Sequence, residues 1–418
     1  MDLDQVRRYL AGLEKRGIHL DLGPVSRLLA TLGDPHLTYR TVHVGGTNGK
    51  GSVAAMIASI LGAAGYRVGL YTSPHLVDFR ERIRINGVMI PEEALVRLVN
   101  ELRHYVTKDI TYFEFATVLA FRFFQEQSVN IAVLEVGMGG RLDATNCIMP
   151  EVSVITTVSL EHERYLGRRL VDIAAEKAEI IKKDGVCVTG VTQRNVLAVI
   201  EKTAQILGAR VLRRGKDFTA RRRGKTTFSY YGINHTLRNL RLPLPGNYQV
   251  SNAALAAAAA EILAEKGMEI NDRALIEGIE STAWEGRLET VGVAPLIVLD
   301  GAHNPEGVRA LCRTLPRDFS YERLIVLFGV MEDKHCRSML SRISLLADRI
   351  IVTEPQGERT RRLSRRDLDD FGLDADRFEI IPCVQDAFQR ACSLAGPEDM
   401  VLVTGSLYLL GEIKRQGV

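Results

Sequence analysis

A glycine-rich segment that contains Lys50 carries the clearest chemistry in the sequence. Residues 45–52 read Gly-Gly-Thr-Asn-Gly-Lys-Gly-Ser, and they lie between a β-prone run at 41–44 and a helical pattern at 52–65. Glycines allow backbone N–H groups to close around phosphate oxygens, while the lysine and the N-terminus of the following helix supply positive charge. This order of strand, turn, lysine and helix predicts a site for the phosphates of a mononucleotide.

The spacing of this segment departs from the common phosphate loop at two positions. Counting back from Lys50, Val44 stands where the first glycine is expected, and Gly51 follows the lysine in place of serine or threonine. Any hydroxyl group must therefore come from Ser52, one residue later. A glycine-rich turn that binds nothing is the alternative, but the register of strand, lysine and helix favours a nucleotide.

A second candidate site follows the apolar run at 131–136, which delivers Glu135 near its C-terminal end. A glycine-rich loop with Arg141 comes next, and ligands of open α/β sheets bind at the carboxyl ends of strands. A carboxylate within an apolar run is costly unless it is paired or metal-bound. A salt bridge between Glu135 and Arg141 is one explanation. We favour a Mg²⁺ ligand, because nucleoside triphosphate chemistry rarely proceeds without a metal.

Two further polar residues are ambiguous in the sequence alone. His162 follows the apolar run at 152–158 and lies between two glutamates, so a structural histidine and a metal ligand are both open. Lys177 lies in the amphipathic helical pattern at 174–182, where residue spacing indicates only a solvated lysine.

An aromatic segment and several residues in the second half of the chain are weaker evidence for a functional site. Residues 111–115, Thr-Tyr-Phe-Glu-Phe, fit core packing or an aromatic wall for a flat heterocycle. Asp300 and His303 follow the apolar run at 296–300 and are site candidates at a strand end, although turn chemistry alone explains the residues between them. Arg287 could reach a phosphate.

The elements that must position these residues alternate between short apolar runs and helical patterns, which predicts an α/β fold with buried parallel strands. The clearest predicted helix covers 251–266. The predicted strands are 41–44, 68–71, 131–136, 152–158, 186–189, 296–300, 324–328, 349–352 and 400–404.

One stretch and one boundary break this alternation. Residues 209–245 are rich in Arg, Lys, Thr and Tyr, which predicts an antiparallel β subregion. We place the domain boundary near residue 293, which gives a first domain at 1–293 and a smaller doubly wound domain at 294–418.

Composition limits the class of protein. A chain of 418 residues is too long for one ordinary core, and its 46% hydrophobic and 25% charged residues are typical of soluble globular proteins. A net charge of +3 is too small to indicate nucleic-acid binding, and no apolar run approaches the ~20 residues of a membrane span. Six scattered cysteines without a CxxC pair, and an N-terminus without a signal sequence, predict a cytoplasmic protein.

Assembled in order, these motifs resemble those of the folylpolyglutamate synthase/dihydrofolate synthase family of Mur-ligase-like, ATP-dependent amide ligases. The resemblance covers nearly the whole chain. The matching stretches are GGTNGKGS, YTSPHL, TYFEF, EVGMGGRLDATN, AAEKAEIIK, LPGNYQVSNAALAAAA, WEGRLE, LDGAHNPEG, FGVMEDKH and VTGSLYLLGEIKR.

The resemblance implies a P-loop Mur-ligase-like domain with a mainly parallel sheet, and a smaller Rossmann-like C-terminal domain that completes the ATP and glutamate site. The implied reaction joins a folate carboxylate to the amine of L-glutamate through an acyl phosphate. The implied substrates are ATP, dihydropteroate or reduced folates, and L-glutamate, with two Mg²⁺ ions and a monomeric protein.

The resemblance also implies a role for each matching residue. The implied ATP contacts are Gly49, Lys50, Gly51, Ser52, Asn252, Arg287 and Asp300. The implied metal ligands are Ser73, Glu135, His162 and Lys177, the last as a carbamate. The implied folate site comprises Thr111, Tyr112, Phe113, Glu114 and Arg141. The implied catalytic residues are Lys50, Lys177 and His303.

Several positions depart from the family pattern, and three other functions stay open. The departures are Glu161 for Asp, Glu179 for Gly, Tyr248 for His, Glu285 for Pro and His335 for Asp. A synthase that adds only the first glutamate is one alternative. A peptidoglycan Mur ligase is disfavoured because only 40 residues precede the first strand. A non-catalytic scaffold would not need the retained Lys177, Glu135, His162 and Arg287.

Overall fold

The computed structural model describes residues 1–357 and 359–417; Glu358 and Val418, the last residue of the predicted second domain, lie outside the described residues. The chain forms two compact units. The first comprises Met1–His75, Phe79–Pro243 and Gln249–Thr282, and the second comprises Leu76–Asp78, Leu244–Tyr248 and the chain from Ala283 onward. Within the described residues, no helix is both long enough and apolar enough to cross a membrane.

The elements up to Glu280 alternate as the sequence predicts. The helices are α1 (Leu3–Glu14), α2 (Gly23–Thr31), α3 (Lys50–Ala63), α4 (Glu92–Leu102), α5 (Tyr112–Glu126), α6 (Glu163–Leu166), α7 (Leu170–Ala178), α8 (Arg194–Ile206), α9 (Asn247–Glu265) and α10 (Asp272–Glu280). The strands are β1 (Arg40–Gly45), β2 (Val68–Tyr71), β3 (Ile83–Ile85), β4 (Val88–Met89), β5 (Ile131–Glu135), β6 (Val152–Ile155), β7 (Val186–Thr189), β8 (Arg210–Arg213), β9 (Thr219–Arg222), β10 (Thr227–Tyr231) and β11 (Thr236–Arg241).

Eight of these strands form the main sheet of the first unit, in the order β4-β3-β2-β5-β1-β6-β7-β8. The neighbouring strands β2, β5, β1, β6, β7 and β8 all pair parallel. Only β3 and β4, at one edge of the sheet, pair antiparallel. Every residue of β5 and β6 is buried, as expected for strands covered by helices on both faces. The carboxyl ends of β2, β5, β1 and β6 therefore meet at one edge of the sheet.

Most of the predicted antiparallel subregion at 209–245 lies in a sheet separate from the main one. Strands β9, β10 and β11 form a separate three-stranded antiparallel sheet, in which β10 pairs with both neighbours. The start of the predicted range needs a correction, because β8 pairs parallel with β7 and extends the main sheet. Its Arg-Val-Leu-Arg sequence is typical of an edge strand, where charged residues are tolerated.

The second unit has a six-stranded sheet of its own, in the order β12-β13-β17-β14-β15-β16. Its strands are β12 (Glu289–Val293), β13 (Leu296–Asp300), β14 (Leu324–Phe328), β15 (Arg349–Val352), β16 (Phe378–Ile380) and β17 (Met400–Thr404). Its helices are α11 (Pro305–Asp318), α12 (Cys336–Ile343), α13 (Arg365–Asp370), α14 (Val384–Leu394) and α15 (Leu407–Arg415). Alternate strand residues belong to two separate core clusters, so helices cover both faces as the doubly wound prediction requires.

The boundary between the units lies earlier than the predicted position near residue 293. The first unit ends at Thr282 and the second resumes at Ala283. The physical reason is β12, which pairs antiparallel with β13 and so belongs to the second sheet. The predicted boundary would have separated these two hydrogen-bonded strands.

Candidate active site

The turn between β1 and α3 has the geometry of a phosphate loop. Gly46 and Gly49 have φ angles of +135° and +89°, a region that side chains rarely adopt. A Cβ atom on Gly46 would lie 2.0 Å from Thr156 Oγ1, so this position has no room for another residue. Gly49 immediately precedes α3, whose first residue is Lys50, and the Lys50 ammonium donates to the Thr47 carbonyl at 3.2 Å.

The residues after β6 hold this turn in place. Thr157 Oγ1 accepts from Asn48 N at 3.0 Å, and Thr156 Oγ1 donates to Asn48 O at 2.7 Å. Thr47 N also donates to Thr157 O at 2.8 Å. Sequence reasoning missed these threonines, because threonine at the end of a strand is ordinary β composition. These three hydrogen bonds hold the backbone of the turn against the segment that follows β6.

Lys177 corrects the sequence-based interpretation of a solvated lysine. Only 1% of it is exposed, and its ammonium donates to Gly46 O at 2.9 Å and to Glu161 Oε1 at 2.8 Å. Burial lowers the pKa of Lys177, although Glu161 acts in the opposite direction. Burial would raise the pKa of Glu161, but Lys177, Lys50 and His162 outweigh it and hold that pKa at about 2. The lysine thus connects the phosphate loop to the segment that carries His162.

Glu135 lies at the end of β5, beside Ser73. Its side chain is 5% exposed, and Oε2 accepts a hydrogen bond from Ser73 N at 3.1 Å. Arg141, the sequence-based alternative partner of Glu135, instead forms an ion pair with Glu176 at 2.9 Å. Because β2 and β5 are adjacent parallel strands, the structure brings the predicted ligands Ser73 and Glu135 together at the carboxyl edge.

The described residues contain no group of three or more His, Cys, Asp or Glu side chains with the arrangement of a metal site. Two of the four predicted ligands are a serine and a lysine, which lie outside those residue types. His162 follows Glu161 directly and has a left-handed backbone with φ +49°, so its side chain leaves the chain at a sharp turn. The structure thus places Ser73 beside Glu135, and it places Lys177 beside Glu161, the residue that precedes His162.

The predicted aromatic wall begins α5. Thr111 caps this helix, and Glu114 accepts hydrogen bonds from Thr111 N at 2.6 Å and from Thr111 Oγ1 at 2.8 Å, which forms a capping box. Phe113 lies on Gly137, where an added Cβ would be 2.4 Å from its ring. The Arg82 guanidinium is 5.3 Å from the centroid of the Tyr112 ring. Thr111 and Glu114 thus position the two aromatic rings.

A buried hydrogen-bonded chain supports the loop after β5. His43 Nε2 lies 2.8 Å from Thr145 Oγ1, Thr145 Oγ1 donates to Asp143 Oδ1 at 2.5 Å, and Asp143 Oδ2 accepts from Met138 N at 2.8 Å. Since the Thr145 proton is directed to Asp143, the His43 ring donates from Nε2. Its Nδ1 is buried with no hydrogen-bond partner among the described residues. Burial first, and Lys182 second, lower the pKa of His43 to about 3.

The second unit brings together three predicted residues at the end of β13. Asp300 Oδ2 accepts from Leu288 N at 3.1 Å, and burial raises its pKa to about 6 against the opposing effect of Arg287. The Arg287 guanidinium passes over Gly301, where an added Cβ would be 2.3 Å from Nη1. His303 Nδ1 lies 2.8 Å from the Gly301 carbonyl, so Nδ1 carries the proton in the neutral ring.

Comparison with known sequences gives matches across both units. Residues 44–260 match the Mur ligase middle domain, and residues 286–407 match the Mur ligase glutamate ligase domain. The dihydrofolate synthase/folylpolyglutamate synthase of Bacillus subtilis is 35% identical over 437 aligned positions, which cover 98% of this chain and 98% of that protein. The Escherichia coli protein of the same name is 33% identical and covers 97% of this chain, with 93% of its own length matched.

Solved structures agree with the sequence matches. Mycobacterium tuberculosis folylpolyglutamate synthase complexed with ADP superposes with a TM-score of 0.92 at 32% identity, over 99% of this chain and 98% of that one. Escherichia coli FolC in complex with DHPP and ADP superposes with a TM-score of 0.90 at 31% identity, over 98% of this chain and 97% of that one.

Proposed function

Because this chain belongs to the Mur ligase family, and within it to the folylpolyglutamate synthases/dihydrofolate synthases, we propose that it uses ATP to ligate L-glutamate to dihydropteroate and to folate glutamates. The observation that carries the proposal is the phosphate loop with Lys177 buried against its Gly46 carbonyl. A loop that only bound nucleotide would not require a buried amine at this position.

The chemistry of such a ligase has two steps. A carboxylate oxygen of the folate attacks the γ-phosphorus of ATP, the bond to ADP breaks, and an acyl phosphate forms. The amine of L-glutamate then attacks the acyl carbon, phosphate leaves, and the amine loses a proton. The first step supplies the leaving group that a carboxylate lacks, and positive charge around the transferring phosphoryl group lowers its barrier.

Different residues of the first unit bind the nucleotide and the folate. Lys50 and Ser52 bind the phosphates, together with the backbone N–H groups at Gly49 and Gly51. Asn252 is a further proposed contact of the nucleotide, and its Oδ1 lies against Gly49 of the loop, 2.6 Å from where a Cβ would be. Tyr112 and Phe113 form a wall of the folate site, in which Thr111, Glu114 and Arg141 also take part.

The chain's own ligands fit a magnesium site. Ser73 lies beside Glu135, because its backbone N–H donates to Glu135 Oε2, and both side chains carry oxygen, the ligand type that Mg²⁺ prefers. His162 and a carbamate on Lys177 complete the proposed ligands, and carbamate formation requires the neutral amine that a lowered lysine pKa favours. Bound Mg²⁺ would neutralise charge on the triphosphate.

In the second unit, Arg287 and Asp300 are proposed ATP contacts, and His303 is proposed as a catalytic residue. The bonds from Leu288 N and from Ala302 N fix the Asp300 carboxylate in position. The Gly301 carbonyl fixes the tautomer of His303, so the proton on Nδ1 is not the one exchanged with substrate. The proposed partners are small molecules only, and the proposed oligomeric state is a monomer.

Phosphate release from ATP and Mg²⁺ tests the function and separates its alternatives. With L-glutamate present, we expect release with dihydropteroate and also with a reduced folate, because one carboxylate-activating centre serves both acceptors. Release with dihydropteroate alone would restrict the protein to the first addition. No glutamate-dependent release with either acceptor, in protein that binds ATP, would indicate another amide acceptor or a non-catalytic relative.

Replacing Glu135 by glutamine should raise the Mg²⁺ concentration for half-maximal activity by about tenfold or more, equivalent to about 1.4 kcal/mol of binding. The substitution keeps the shape and the bond from Ser73 N but removes the charge. A Mg²⁺ titration of phosphate release measures the effect. The matched control is Glu126→Gln on α5, whose carboxylate pairs with Arg97 at 2.6 Å. Equal titration curves for Glu135→Gln and the wild type would remove Glu135 from the metal site.

A further inference from the structure

Gln249 is a buried polar residue that sequence reasoning did not single out. It is the third residue of α9, and 0% of it is exposed. Both ends of its carboxamide are hydrogen-bonded: Nε2 donates to Ser52 Oγ at 3.3 Å, and Oε1 accepts from Asn252 Nδ2 at 2.8 Å. Gln249 therefore links two side chains from different helices that are both proposed to contact the nucleotide.

These bonds couple the orientations of the two amides. Because Asn252 Nδ2 is directed to Gln249, the oxygen of Asn252 is the end that faces Gly49, 2.6 Å from where a Cβ would lie. Turning the Asn252 amide alone would set two oxygens against each other, and turning the Gln249 amide alone would set two NH₂ groups against each other. The end of Asn252 that faces the phosphate loop is thus decided at Gln249.

The bond to Ser52 holds the hydroxyl whose position in the phosphate loop is unusual. The common loop has its hydroxyl directly after the lysine, but here Gly51 intervenes and Ser52 lies about 100° further round the helix. Ser52 is 1% exposed, so its hydroxyl is shielded from bulk solvent. The N–H of Gln249 occupies one lone pair of Oγ and leaves the other lone pair and the proton for the nucleotide side.

We propose that Gln249 is a positioning residue for the nucleotide, which holds the Ser52 hydroxyl and the Asn252 carboxamide in their binding orientations. This inference rests on the proposed function only in that a nucleotide is the ligand of the loop. Gln249 touches no reacting atom. Its effect is on nucleotide binding, which is common to the ground state and the transition state, so KM for ATP should change more than kcat.

The test is the affinity of purified variants for ADP, measured by calorimetry beside their melting temperatures. Gln249→Met keeps the length of the side chain and removes both hydrogen bonds, and we expect about tenfold weaker ADP binding. The control is Glu261→Ala at the other end of α9, about 18 Å along the helix from Gln249. Glu261 accepts bonds from Ile233 N and Asn234 N, so its loss should lower the melting temperature with ADP affinity unchanged.

Double-mutant cycles separate positioning from general loosening of the helix. Gln249→Met is combined with Ser52→Ala in one cycle and with Asn252→Ala in the other. If Gln249 acts through these two partners, each double variant should lose less ADP-binding free energy than the sum of its two single variants. If Gln249→Met fails to fold, Gln249→Glu keeps the acceptor for Asn252 and still removes the donor to Ser52, so weaker ADP binding is again expected.

The inference and the proposed function fail in different ways. ADP affinity within twofold of the wild type in folded Gln249→Met, or strictly additive cycles, would overturn the positioning role even if ligase activity is present. Wild-type protein that binds ADP but shows no glutamate-dependent phosphate release would overturn the proposed function and leave the positioning role standing.

Discussion

Replacing Lys177 by alanine is expected to reduce glutamate-dependent phosphate release by at least 10²–10³-fold, roughly the loss found when a charge-stabilising group is removed from an active site. The amine is buried between Gly46 O and Glu161, so the variant loses a contact to the phosphate loop and the nitrogen that would carry the carbamate. Phosphate release, with circular dichroism to verify folding, measures the effect.

A conservative variant distinguishes the carbamate from a simple positive charge. Lys177→Arg retains the cation opposite Glu161 but has no amine that adds CO₂, so it should be as inactive as Lys177→Ala. Lys183→Ala, on an exposed neighbour, is the control for substitution in this segment. Near-normal turnover by Lys177→Arg, or by the alanine variant in CO₂-depleted buffer, would show that no carbamate is needed.

Acid should destabilise the first unit through His43. Its pKa is lowered from 6.5 to about 3, so below pH 6.5 the unfolded chain binds a proton that the folded chain does not. The free energy of unfolding therefore falls as the pH drops through this window, by roughly 2–3 kcal/mol between pH 6.5 and pH 4.5 from this residue. A proton on buried Nδ1 would have no acceptor and would be repelled by Lys182.

Urea denaturation at several pH values measures this contribution. His43→Gln can still donate to Thr145 but does not titrate, so its stability should decline less steeply with acid than that of the wild type. The same replacement at His104, which is exposed, should leave the pH profile unchanged. Parallel profiles for His43→Gln and the wild type would show that His43 is not the titrating group.

The features that the sequence predicts well are local ones. The strand, glycine turn and helix around Lys50 follow from consecutive residue types, and β1 and α3 lie where the pattern places them. The buried strands of both sheets can likewise be recognised as short runs of Val, Ile and Leu, because this composition is typical of strands that are buried on both faces.

The features that it predicts poorly depend on what packs against a residue. Lys177 has the surroundings of a surface lysine in the sequence, but the helix that carries it turns that side chain toward Gly46 and Glu161, which are 131 and 16 residues away. Gln249 is similar, because its partner Ser52 is 197 residues distant. Contacts between such distant residues leave no periodic pattern in the sequence. The motif resemblance implied a role for Lys177 but none for Gln249, although Gln249 lies within one of the matching stretches.

The hydrogen bonds from Thr156 and Thr157 to the turn around Asn48 bear on the thermodynamics of ligand capture. A loop that must become ordered on binding loses backbone conformational entropy, about 1–2 kcal/mol for each residue fixed. Here the bond from Asn48 N, the bond to Asn48 O and the tight fit of Gly46 against Thr156 restrict that backbone before any ligand arrives. The conformational entropy of this backbone is therefore lost when the protein folds. Binding of the ligand then removes less backbone entropy.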